Sequence, residues 1–148
     1  MKIGVISDTH GLLRPEALYR LSGVDHILHA GDIGGVEVID QLSAIAPVTA
    51  IRGNNDTGGW AQAYPEEAVL ELQGRTILIL HDLKTLSERH YDVIVSGHSH
   101  KPNIETRDGV LYLNPGSAGP RRFKLPTTVA ILKVQAKRIA AEILQLIG

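Results

Sequence analysis

Two histidines separated by one residue, His98-Ser99-His100, follow Gly97 and the apolar run Val93–Val95. The chain has seven histidines and no cysteine, so any bound metal must be held by imidazole and oxygen donors. Donors of that kind recur behind other apolar runs, as Asp8-Thr9-His10, Gly31-Asp32, Gly53-Asn54-Asn55-Asp56 and His81-Asp82. Neutral imidazole with carboxylate oxygen suits manganese, iron, zinc or nickel, and Asp32 has two oxygens with which to bridge two ions. Two ions about 3.5–4 Å apart can share a hydroxide and grip a phosphoryl group, and each member of the His98/His100 pair would then serve a different ion.

Those donors need strands to carry them. Short apolar runs at 3–6, 27–28, 48–51, 77–80 and 93–95 predict buried strands. Between them, 15–21 opens on Pro15, which suits a first helical turn, and 36–46 stops before Pro47. Residues 83–90 predict a third helix. The β-α-β-α-β order favours a parallel sheet with right-handed crossovers. If one largely parallel sheet carries all five runs, their carboxyl ends share the edge at which α/β proteins bind ligands. The second half changes character: 68–73 and 75–80 flank Gly74, and 104–107 and 110–113 flank Asp108-Gly109, a hairpin signal. Residues 127–134 predict a further strand. The tail from Ile139 has apolar spacing that also fits a helix, but it reads as a last strand.

At 148 residues, 43% hydrophobic and 21% charged, the chain has the size and composition of one globular domain, expected over 1–148. A net charge of −1 gives no bulk signal for nucleic acid or anionic membrane. The N-terminus reaches Asp8 too early for a signal-peptide core, and no apolar stretch is long enough to span a bilayer, so a cytoplasmic location is expected. No Gly-rich loop ending in Gly-Lys-Ser/Thr is present, which leaves ATP-driven chemistry without a signal. The run His98-Ser99-His100-Lys101-Pro102 lacks the His-x-His-x-Asp-His continuation of a metallo-β-lactamase-type hydrolase.

The ordered set Asp8-x-His10, Gly31-Asp32, Gly53-Asn54, His81 and Gly97-His98-x-His100 resembles the calcineurin-like metallophosphoesterases, in their small single-domain prokaryotic branch. Asn114-Pro115-Gly116-Ser117 is similar to the segment that follows the motifs in that branch. The resemblance implies an α/β (α+β) fold of two mixed β-sheets packed as a sandwich flanked by helices. It implies two divalent ions, manganese first with zinc, iron or nickel as alternatives. Asp8, His10, Asp32 and His100 would bind one, and Asp32, Asn54, His81 and His98 the other. The implied reaction is hydrolysis of a small-molecule phosphoester by in-line attack of a metal-bridging hydroxide.

Two positions depart from the family pattern. Many members carry histidine after the metal-binding asparagine, where it can protonate the leaving oxygen, whereas this chain has Asn55, which cannot act as a general acid near neutral pH. Asn55 is then expected to hydrogen-bond substrate, with Asp56 or water as proton source, and the reaction to favour phosphodiesters with good leaving groups. Asp82 stands where glycine is frequent, and would either crowd the site or hydrogen-bond a ligand imidazole.

His26, His29 and His90 read as ordinary structural or surface histidines, although His29 shares a strand with Gly31-Asp32 and can support the site from behind. Asp8 and Asp32 could merely cap helices, but neither directly precedes one. Arg121, Arg122 and Lys124 form a basic cluster from which Arg121 is the candidate to meet a phosphate. Trp60 and Tyr64 would shape a pocket wall or a contact in a homo-oligomer. The alternative to an enzyme is a non-catalytic interaction scaffold on the same fold, similar to the retromer subunit.

Overall fold

The computed structural model describes residues 1–87, 90–122 and 124–147. Strands β1 (Lys2–Ile6), β2 (His26–His29) and β3 (Val48–Ala50) run parallel, connected through α1 (Pro15–Arg20) and α2 (Val36–Ser43). The chain then leaves this sheet through a 3-10 turn at Gly59–Ala63 and builds a second one. That sheet holds β4 (Glu67–Leu72), β5 (Arg75–Leu80), β6 (Val93–Val95), β7 (Asn103–Arg107) and β8 (Val110–Asn114), in the order β4-β5-β6-β8-β7. Strands β9 (Thr127–Val134) and β10 (Ile139–Ile147) return to the first sheet, giving β10-β9-β1-β2-β3.

The five parallel runs are thus divided between two sheets rather than gathered in one. A short, wholly apolar run has the same pattern in either arrangement, because it is buried on both faces. What divides them is the β4–β5 hairpin, turned by Gln73 and Gly74 in left-handed backbone (φ 53° and 76°), which begins an antiparallel pairing apart from β3. The tail is a strand paired with β9, as read. The third helix is absent from 83–87: a 3-10 turn, Leu83–Thr85, gives way to extended backbone at Leu86, and residues 88–89 lie outside the described residues.

Three apolar layers follow from strand alternation. Ile3, Val5 and Leu28 face Ile77, Ile79, Val93 and Val95 between the sheets. Ile6, Ile27 and Ile131 lie under Ala17 and Leu21 of the first helical segment and Val38 and Leu42 of α2. Gly4 lets α1 come close, since a Cβ there would lie 2.5 Å from Leu21 Cδ2. Leu78, Leu80 and Ile94 fill the far face of the second sheet under Leu86 and Tyr91. Register completes the frame: Ile6, His29 and Ala50 align across the first sheet, and Ile79, Val95 and Leu113 across the second. The segments that follow each row are the donor-bearing ones.

Candidate metal centre

Backbone hydrogen bonds lock the Asp8 and Asp32 segments together: Asp8 N donates to Gly31 O (3.0 Å), His10 N to Asp32 O (2.9 Å) and Gly11 N to Ile33 O (2.8 Å). From the other sheet, Gly97 N donates to His81 O (3.0 Å). Five of the seven ligand candidates, Asp8, His10, Asp32, His98 and His100, have φ between 47° and 71°. Left-handed backbone at a non-glycine residue costs on the order of 1–3 kcal/mol and persists only where the surroundings enforce it. Glycines allow the approach. A Cβ on Gly53 would lie 2.2 Å from Asp32 Oδ1, and one on Gly97 would lie 2.7 Å from Asp8 Oδ2.

Asp8 is fully buried and divides the work of its two oxygens. Oδ2 accepts from Ser7 Oγ (2.8 Å) and His98 N (3.1 Å). Among the described residues Oδ1 has no hydrogen-bond partner, and it stands 3.4 Å from His100 Nε2, 3.8 Å from His81 Nε2 and 4.0 Å from His10 Nε2. Asp32 Oδ2 lies 3.2 Å from His81 Nε2 and 3.7 Å from His10 Nε2. Among the described residues two triads of potential ligand atoms result, Asp8/His10/His100 and Asp8/Asp32/His81. Asp8 belongs to both, although Asp32 alone is the expected bridge.

His81 Nδ1 is 2.7 Å from the Ala30 carbonyl, and an N–H donated there leaves Nε2 to face the carboxylates. Nε2 is buried without an aligned partner among the described residues, like Asp8 Oδ1. A buried carboxylate oxygen and a buried imidazole nitrogen left so are costly, and one cation satisfies both. The donor set therefore fits divalent metal ions of the nitrogen- and oxygen-loving kind.

Charge balance agrees. Burial pushes the Asp32 carboxyl up, but the approach of His81, the Asn55 N–H and the positive charge of His81 and His10 outweigh it and hold it at about 2. Burial pulls His81 down, and Asp32, the Ala30 carbonyl and the Asp8 charge together reverse this and raise it.

The remaining candidates are less central. His98 is half exposed, its ring 5.1 Å from that of His81 and its Nε2 3.9 Å from Asp82 Oδ2. Asp82 Oδ1 accepts from Lys84 N (3.0 Å), so this residue starts the 3-10 turn and flanks His98 without crowding the triads. Asn54 is exposed and, with His81, His98 and Arg52, lines a cleft of about 410 Å³. Asn55 turns toward Asp32: its N–H donates to Oδ1 (2.9 Å) and its Nδ2 to Oδ2 (3.2 Å). Arg121 is exposed and its Nε donates to Leu125 O (3.3 Å), a local turn contact.

Asp56, expected as a proton source, is turned toward backbone. It is 4% exposed and accepts from the N–H groups of Ile33, Gly34 and Gly53 at 2.9–3.0 Å, so both oxygens hold loops together. His29 is fully buried: Nδ1 accepts from Gly31 N (3.1 Å), and Nε2 lies 3.0 Å from Thr9 Oγ1, which donates to Ile33 O (2.7 Å). It braces both aspartate segments. Trp60 and Tyr64 meet edge to face at 6.2 Å and pack on the core beneath the helices.

Residues 1–137 match the profile of the calcineurin-like phosphoesterase superfamily domain. The chain belongs to that superfamily. A "Probable metallophosphoesterase" of Methanothermobacter thermautotrophicus is 33% identical, over 98% of this chain and 92% of the relative. A phosphodiesterase of Methanocaldococcus jannaschii is 28% identical, over 98% and 100% respectively. Vps29 of Chaetomium thermophilum shares the fold at TM-score 0.80 and 20% identity, over 97% of each chain. The calcineurin-like phosphoesterase fold of two mixed sheets with few helices is the architecture expected from the motifs.

Proposed function

We propose that this chain is a divalent-metal-dependent phosphodiesterase with a dinuclear centre. The observation that carries the reading is the pair of triads meeting at Asp8 Oδ1, a fully buried carboxylate oxygen without a hydrogen-bond partner among the described residues. Asp8, His10, Asp32 and His100 would hold one ion, and Asp32, Asn54, His81 and His98 the other. The position of Asp8 Oδ1 supports its service to both. Bound ions would polarise the phosphoryl oxygens and acidify a water for attack, with manganese first and zinc, iron or nickel as alternatives.

Two of the chain's own residues then act at the centre. Asn55 fixes the Asp32 carboxylate with two N–H donors and can present its exposed amide to a substrate oxygen. His81 is oriented by Ala30 so that its Nε2 faces the centre. No side chain within the triads is free to protonate an alkoxide once its nitrogens are committed to ions, and Asp56 is engaged by three N–H groups. Proton delivery from water favours leaving groups of low pKa, which supports an activated diester as substrate.

The test compares bis(p-nitrophenyl) phosphate with p-nitrophenyl phosphate after chelation and reloading with Mn²⁺. Hydrolysis of the diester, abolished by chelator and restored by Mn²⁺, is expected. Absence of turnover with any of Mn²⁺, Zn²⁺, Fe²⁺ or Ni²⁺ would favour the scaffold reading that the Vps29-like fold keeps open.

A further inference from the structure

Residues 115–119 follow β8 as a connection whose one regular feature is a single bridge from Ser117 to Thr127, and yet all five are buried, as is Asn114 at the end of the strand. Connections usually run over the surface because their backbone polar groups need partners. Here the partners are the centre's own supports. Asn114 Nδ2 donates to Gly97 O (3.0 Å) and Ser99 Oγ (3.2 Å), while its Oδ1 accepts from Gly116 N (2.9 Å). The amide orientation is fixed by chemistry, since the Gly97 carbonyl demands a donor and the Gly116 N–H an acceptor. Ser117 Oγ donates to Asp8 O (3.1 Å) and Ala118 N to Ser7 O (3.1 Å). Thr128 on β9 closes the other side, Oγ1 donating to Pro115 O (2.6 Å) and N to Ser117 O (2.9 Å).

We infer that Asn114 is a positioning residue for the metal centre, the key of a bracket, 114–118, that fastens the His98–His100 turn to the Asp8 segment. This rests on the metal-site reading above. The turn needs such a fastening, because His98 and His100 both hold left-handed backbone (φ 71° and 63°) and Ser99 between them is exposed. Without tethers at Gly97 and Ser99, a short exposed turn with two such residues relaxes toward ordinary φ values. That relaxation would carry His100 away from Asp8 Oδ1. Asn114 touches no ligand atom of either triad, and its effect passes through the turn.

The experiment uses the full chain and Co²⁺ alone as probe, with Asn114→Asp, Asn114→Ala and Ser99→Ala. Asn114→Asp keeps shape and removes both donors; Ser99→Ala removes one acceptor from an exposed side chain. Co²⁺ affinity read by calorimetry should fall about 10–100-fold in the Asn114 variants, as for other partners that orient ligands. It should fall less, in the same direction, in Ser99→Ala. The visible Co²⁺ absorption bands should shift in the folded fraction, which a loss of stability alone would not produce. In metal-free protein, amide exchange at Ser99 and Lys101 should quicken. Wild-type affinity, spectrum and exchange in folded Asn114→Asp, or in Ser99→Ala where the Asn114 variants do not fold, would overturn the inference. Should wild-type protein bind no Co²⁺ while the variants still quicken exchange, the metal-site reading fails and the fastening of the turn stands.

Discussion

Asp8 and His81 set the properties of the site atom by atom. Replacing Asp8 by Asn keeps one acceptor oxygen but puts an amide where the charge shared by both triads stood. Metal stoichiometry by elemental analysis should drop, and diester hydrolysis should fall by at least about 10²-fold, the scale at which loss of a central electrostatic group acts. Retention of both ions in Asp8→Asn would contradict the shared role. His81 adds a pH term. Its pKa in the metal-free fold is raised above the ordinary value, while a ligand imidazole must be neutral, so binding expels a proton. Metal affinity should therefore weaken as pH falls through the raised value. Calorimetry in buffers of different ionisation enthalpy should detect proton release near neutral pH. The donor types were legible here from residue identity and order. The sharing of Asp8 was not, because it depends on which of two oxygens Ser7 and His98 N engage. Nor was the task of Asp56, although an aspartate in a polar turn is a common backbone acceptor.

Turns, more than strands, carry the specificity of this architecture, and two glycines separate the contributions. Gly109 sits in the β7–β8 turn at φ 78° with open space around it, whereas a Cβ on Gly97 would meet Ser7 Oγ at 2.1 Å and Asp8 Oδ2 at 2.7 Å. Gly109→Ala should cost only the left-handed penalty of about 1–2 kcal/mol in urea denaturation and leave Co²⁺ affinity unchanged. Gly97→Ala should lose metal binding, because the side chains it strikes are the buried Asp8 carboxylate and the Ser7 hydroxyl that donates to it. Equal metal affinity in the two variants would show that Asp8 tolerates displacement. Apolar runs and hairpin signals made most strands readable, including the tail, where β10 pairs along nearly its whole length with β9. The helix expected over 83–90 failed at its start because Asp82 caps a turn of one 3-10 round and the backbone is extended by Leu86. Local propensity cannot register that Leu86 is taken by the sheet face below it.

At the scale of the molecule, the division of five parallel runs between two sheets turns one binding edge into a junction, and folding and site assembly become one event. Asp8 and Asp32 come from the first sheet, His81, His98 and His100 from the second, so the triads exist only when the sheets are packed. His29 couples that packing to pH. Burial pulls its pKa down to about 4, against an ordinary 6.5, because a second ring proton would break the bond from Gly31 N and add charge beneath the sheet. Above pH 7 both folded and unfolded chains carry it neutral and it contributes no pH dependence. As pH falls below 6.5 the unfolded chain takes a proton that the folded chain refuses, and stability drops until about pH 4, where the folded chain takes it too. A depression of that size corresponds to about 3 kcal/mol in total. Urea midpoints in chelator between pH 8 and pH 4 should fall in the wild type and fall less in His29→Gln, which keeps polar groups but does not titrate. The difference between the two curves isolates the imidazole from the other histidines. Parallel curves would mean that His29 is charged within the fold and that the relay through Thr9 to the Asp32 segment is drawn with the wrong protonation state.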